Sequence, residues 1–125
     1  MIIRFLAGLA LVVVCSSAEA QTITAEAVQK MLAGKRVSLT CVDGTSGTGR
    51  YINGRGFGTI RGTYRVAGGP PMRDTGRVRS AGNQLCLAFP MLTGNQERCF
   101  GVVQRAADRF SFTTFGVGIC EVRAG

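Results

Sequence analysis

Histidine and tryptophan are absent from the 125 residues. Without histidine there is no Ser–His or Cys–His pair to activate a nucleophile. Acidic residues are also scarce, seven against fifteen lysines and arginines. Asp43, Asp74, Glu97, Asp108 and Glu121 are scattered at expected turns and strand ends, so no carboxylate pair is available for acid–base work. These gaps lead us to expect no catalytic residues, no cofactor and no enzymatic activity. Long apolar runs are missing too, beyond one that ends at Cys15.

That one run is informative. Arg4 precedes an apolar stretch from Phe5 to Cys15, and Ala18-Glu19-Ala20 supplies the small-x-small pattern that signal peptidase accepts. Residues 1–20 therefore read as a cleaved signal peptide, too short for a stable membrane span. Lipid attachment at Cys15 would want a small residue before it, and Val14 is β-branched. The expected mature chain, residues 21–125, is a single domain of 105 residues (125 minus 20) with no transmembrane segment. A chain of this size buries roughly 65% of its unfolded surface, enough for a modest core. The expected location is periplasmic or secreted.

Removal of Cys15 leaves Cys41, Cys86, Cys99 and Cys120 in an oxidising compartment, where disulfides form. Their spacings of 45, 13 and 21 lack the close cysteine knuckles of zinc sites, so no metal is expected. Four cysteines allow three pairings. Cys86 and Cys99 flank an expected hairpin, and Cys41 and Cys120 lie in the first and last expected strands. Neighbouring strands would pair Cys86 with Cys99, and closure of a barrel would pair Cys41 with Cys120.

One helix is expected. Thr24 is a good N-cap for the run Ala25 to Ala33, Glu26 suits the first turn, and Gly34 suits the left-handed position after the end. Ile23 and Val28 have the spacing of a hydrophobic staple. After Gly34, short β-branched and apolar runs alternate with turn clusters. Strands are expected at 35–42, 49–53, 57–66, 74–80, 84–89, 97–104, 109–115 and 118–123, with Gly82-Asn83 as a two-residue hairpin turn. The expected fold is all-β: a small antiparallel β-barrel of about eight short strands, with one short N-terminal helix and two disulfides. Regular pairing of Cys86 with Cys99 sets Leu87 opposite Arg98, an awkward pair for which a bulge or twist is expected.

The stretch from Asp74 to Val103 carries Asp74-Thr75-Gly76-Arg77-Val78, Gly82-Asn83-Gln84-Leu85-Cys86 and Arg98-Cys99-Phe100-Gly101-Val102. It resembles an uncharacterised family of small secreted bacterial β-proteins with the pattern Asp-Ser/Thr-Gly-x-Trp, Gly-Asp/Asn-x-Leu-Cys and Arg-Cys-Tyr/Phe-x-Val. Val78 replaces the usual tryptophan and Phe100 the commoner tyrosine. The resemblance implies a lipocalin-like barrel in the envelope and carries over no catalytic residues.

Three other segments have plainer readings. Asp74-Thr75-Gly76 is the aspartic-protease tripeptide, but Arg73 and Arg77 flank it and would hold the carboxylate ionised, so a strand-entry turn is expected. Gly54-Arg55-Gly56-Phe57-Gly58-Thr59-Ile60 is similar to the nucleic-acid strand of cold-shock barrels. Too few aromatics accompany it for base stacking, and no nucleic acid is expected. Residues 43–49 lack P-loop and calcium-loop ligands and read as a mobile hairpin loop.

Charge gives the functional lead. The mature chain has 14 basic residues (15 minus Arg4) and six acidic ones (seven minus Glu19), and twelve of the 14 are arginine. Arg61 and Arg65 are four apart and Arg77 and Arg79 two apart, so each pair shares one face of its strand. Guanidinium groups bind phosphates and carboxylates bidentately. The expected function is a non-enzymatic binding protein that uses Arg61, Arg65, Arg77 and Arg79 on an anionic envelope component or an acidic protein. The same residues could equally form a solvated outer face. The alternative function is a proteinaceous inhibitor of a secreted or host hydrolase, acting through residues 43–49 and 67–73.

Overall fold

A computed structural model describes residues 21–125; the expected signal peptide, residues 1–20, lies outside them. The chain begins with β1 (Gln21–Thr22) and α1 (Ala25–Leu32). Eight strands follow: β2 (Arg36–Cys41), β3 (Ser46–Asn53), β4 (Gly58–Arg65), β5 (Met72–Ala81), β6 (Gln84–Ala88), β7 (Arg98–Ala106), β8 (Arg109–Thr114) and β9 (Val117–Ala124). Each of these eight pairs antiparallel with the next, and β9 returns to pair with β2. The result is a closed eight-stranded up-and-down barrel, as expected. The two-residue β1 is an addition, laid along the end of β7 through Gln21 and Gln104.

The inside–outside alternation is clearest in β5. Asp74, Gly76 and Val78 are buried, and Arg73, Thr75, Arg77 and Arg79 are exposed. Side chains on a strand point to opposite faces in turn, so the apolar set lines the interior. Val37, Ile60, Val78, Leu85, Val102, Phe110 and Val122 form the core at one end, where α1 closes the barrel with Ala25, Val28 and Leu32. Thr24 caps α1 as expected, accepting from Ala27 N at 3.2 Å, and Gly34 takes φ +73° after its end. Gln29 fixes the helix to the barrel. Its Nε2 donates to Tyr51 Oη at 3.0 Å, and its Oε1 accepts from Ser80 Oγ.

The interior is shaped by glycines that seat aromatic rings. A Cβ at Gly47 would come within 2.3 Å of Tyr64, one at Gly58 within 2.1 Å of Tyr51, and one at Gly76 within 2.4 Å of Phe89. Each ring therefore packs against a strand position that carries no side chain. Tyr64 and Phe89 also meet edge to face, with centroids 5.1 Å apart.

Both disulfides pair as expected, Cys41 with Cys120 and Cys86 with Cys99. Each joins directly opposed residues of neighbouring strands. Cys41–Cys120 ties the first barrel strand to the last and so staples the ring shut.

Three expectations need correction. The β6–β7 ladder has no bulge and runs regularly to Leu87 opposite Arg98. That pair is the last rung, at the barrel's open end, where Arg98 can lay its stem along apolar surface and keep its charge in water. The irregularities fall instead between Gln104 and Ala106 of β7 and between Phe112 and Thr113 of β8. Second, β3 begins at Ser46, so the hairpin loop expected over residues 43–49 shrinks to a tight turn. Asp43 Oδ1 accepts from Thr45 N at 2.9 Å across it. Third, the loop expected over 67–73 ends before Met72, where β5 begins.

Candidate functional sites: an outer arginine face and an inner chamber

The outer face of β2 to β5 gathers most of the arginines. Arg61 and Arg65 are exposed on β4, and Arg77 and Arg79 on β5, but the register brings only Arg61 and Arg77 together, as diagonal neighbours, while Arg65 and Arg79 fall at opposite ends of the β4–β5 ladder. Register adds residues that spacing alone did not single out. Arg36 lies opposite Arg50, and Arg50 opposite Arg61, which places three arginines in one row across β2, β3 and β4. Arg73 extends the face on β5. Like charges directly opposite each other disfavour pairing by a few tenths of a kcal/mol, about 0.2–1.

The four expected arginines are not equivalent. Arg79 is committed to Glu97. Its Nε donates to Oε2 at 2.6 Å and its Nη2 to Oε1, a bidentate pair at the surface. The Arg79 hydrogen bonds hold the Glu97 carboxyl below its ordinary range. This is the only salt bridge among the described residues. Arg77 lies over the Phe57 ring, 4.1 Å from its centroid, and keeps its charge free. Among the described residues, Arg36, Arg50, Arg61, Arg65, Arg73 and Arg77 are in no salt bridge, and Arg50 Nη1 donates to Gly34 O at 3.1 Å.

Asp74 lies inside β5 rather than in the expected strand-entry turn. It is buried, and its Oδ2 accepts from Met91 N at 3.0 Å and Leu92 N at 2.8 Å. Its Oδ1 accepts from Thr75 N. The carboxylate holds the loop between β6 and β7 against the barrel's open end. Cys86, Cys99 and Glu97 are the one close grouping of metal-ligating residue types among the described residues. The two sulfurs are spent on each other, and Glu97 is held by Arg79.

The second site was not foreseen. A chamber of about 410 Å³ runs from Leu32 of α1 to the mouth at the opposite end. Leu39, Leu87, Phe89, Phe100 and Ile119 line it, with the Cys41–Cys120 disulfide near the outlet. Asp43, Thr45, Thr93 and Arg98 lie at its mouth. The Thr45 hydrogen bonds hold the Asp43 carboxyl below its ordinary range, with a smaller pull from Arg98. Tyr64 is also in the wall. Its hydroxyl is buried over Gly49 with no hydrogen-bond partner, and burial, aided by Asp74, pushes the phenol well above its ordinary range. No local sequence signal marks a chamber, because it consists of space left between side chains from all eight barrel strands.

Among the described residues no helix is long and apolar enough to cross a membrane. No protein-family model and no curated protein matches the chain. Among solved structures it is similar to a redesigned beta barrel, mFAP1, bound to DFHBI, at 18% identity over 77% of this chain and 95% of that one, with a TM-score of 0.48. It is also similar to EF1p2_mFAP2b bound to DFHBI, at 14% identity over 82% and 96% of the two chains, again with a TM-score of 0.48.

Proposed function

We propose that this is a non-enzymatic periplasmic or secreted binding protein whose outer arginine face engages an anionic envelope component. One observation supports this reading above the others: Arg36, Arg50 and Arg61 stand in a single row without a carboxylate among them. Solubility alone does not require like charges directly opposite one another, because interspersed signs serve it as well. A phosphate or acidic-sugar surface would relieve the repulsion and take up the guanidinium forks bidentately. The net charge of +8 would steer the approach.

The test is binding of residues 21–125 to vesicles with and without anionic lipid. Binding should require the anionic lipid and be reversed by about 0.5 M salt, where the screening length falls to a few Å. Changing Arg50, Arg61, Arg65 and Arg77 together to serine should remove roughly 4 kcal/mol, about a thousandfold, at about 1 kcal/mol per basic residue near such a surface. Arg79→Ser should matter far less, since Glu97 already occupies it. Salt-insensitive binding, or normal binding by the quadruple variant, would sink the proposal.

A further inference from the structure

The chamber and its rim carry a second site, independent of the outer arginine face. A volume of about 410 Å³ lies within the range of small-molecule pockets, roughly 300–1,000 Å³. Its walls offer water few partners, and apolar cavities of even about 150 Å³ take up apolar solutes in preference to water. The chamber runs from Leu32 of α1 to Val42, Asp43, Thr45 and Val66 at the turns of the opposite end.

The mouth has two unusual properties. First, it is ringed by exposed apolar residues from all four turns at that end: Val42, Val66, Met91, Phe115 and Val117. Phe115 is fully exposed and holds φ +51°, a left-handed conformation that normally selects glycine or asparagine. A bulky apolar side chain kept at a strained, wholly exposed turn position costs stability and gains nothing in the core, which marks the rim as a contact surface. Second, Arg98 borders the outlet with no carboxylate within ion-pairing distance. Asp43 lines the same rim, and its hydrogen bonds go to Thr45.

We propose that the barrel binds a single-chain amphiphile with an anionic head, its tail in the chamber and its head at Arg98. Apolar walls select the tail, and the mouth arginine selects the sign of the head. The apolar rim suits a ligand held in a lipid surface, while the same ligand could also arrive free from solution.

Calorimetric titration of residues 21–125 with decanoate, decanol and decyltrimethylammonium tests this directly. Decanoate should bind saturably at one site, more tightly than decanol, and the cation most weakly. Arg98→Gln should weaken decanoate about tenfold, the lower end for loss of a hydrogen bond to a charged group, and leave decanol within about twofold. Asp43→Asn should strengthen decanoate several-fold by removing a like charge. Leu87→Trp should weaken decanoate and decanol alike by filling the chamber, with a preserved thermal melt showing that the barrel is intact. Phe115→Asn relieves the turn and should melt higher. If it slows decanoate transfer from phosphatidylcholine vesicles, followed by the fluorescence of Tyr51 and Tyr64 in the chamber wall, the ligand comes from the membrane; an unchanged rate assigns it to solution. The proposal fails if no probe saturates on folded protein, if Leu87→Trp leaves binding untouched, or if Arg98→Gln weakens decanol as much as decanoate.

Discussion

Single side chains here often do something other than their local motif implies. Asp74 carries the aspartic-protease tripeptide and serves as an acceptor for the backbone of a loop 17 and 18 residues further on. Nothing near it in sequence could announce that, because its partners are main-chain N–H groups. Tyr64 is the opposite case, a buried hydroxyl that satisfies nobody. Its folded-state pKa is raised above the ordinary tyrosine value of about 10, chiefly by burial. The neutral phenol is therefore favoured by the fold. Its share of stability is complete below about pH 10 and lost as pH rises towards the folded value, since the unfolded chain ionises first. Tyr51, also raised by burial, adds to the same loss. We expect Tyr64→Phe to change stability at neutral pH by less than about 1 kcal/mol and to flatten the decline above pH 10. Urea melts at the two pH values check this; an equal alkaline decline in both proteins would contradict it.

At the scale of elements, most strands were legible because alternation and turn residues coincide. Gly82-Asn83 sits between β5 and β6 as a two-residue turn, with Gly82 at φ +59°. The start of β3 was not legible. Its inward positions are Gly47 and Gly49, so the apolar half of the pattern is supplied by Tyr64 from the next strand. A strand whose interior face belongs to a neighbour gives no periodic signal of its own. The same packing reverses an ordinary expectation. Glycine weakens a strand, so an alanine in its place would usually help. At Gly47 a Cβ would meet Tyr64 at 2.3 Å and Thr63 O at 2.8 Å. Gly47→Ala should therefore destabilise by about 1–3 kcal/mol, the usual penalty of overpacking, read from the urea midpoint. A gain in stability would mean that Tyr64 is free to move aside.

For the molecule as a whole, closure governs both stability and site. The up-and-down order places β9 beside β2, and the disulfides follow from that order, which is why their pairing could be inferred from hairpin and barrel geometry. In the chain-entropy model the bond spanning 79 residues is worth about 4.5 kcal/mol and the one spanning 13 about 3. Replacing Cys41 and Cys120 by serine should accordingly cost more than replacing Cys86 and Cys99, compared by urea unfolding under the same conditions. The reverse order would show that the ring holds without its staple. The sites divide in the same way. Spacing put Arg61 with Arg65 and Arg77 with Arg79, but ring register was needed to bring in Arg36 and Arg50, and the Arg79–Glu97 pair spans 18 residues. The chamber depends on all eight strands at once and had no counterpart in any segment.

Gln21 pairs with β7 beyond the start of β6, and Gly125 exchanges backbone hydrogen bonds with Arg36 at the beginning of β2. Both positions lie at the helix-closed end, a full barrel length from the mouth. A tag, surface linker or fused domain joined at either position would thus leave the opening facing away from the support, and residues 21–125 could be displayed in one orientation whichever of the two positions is chosen.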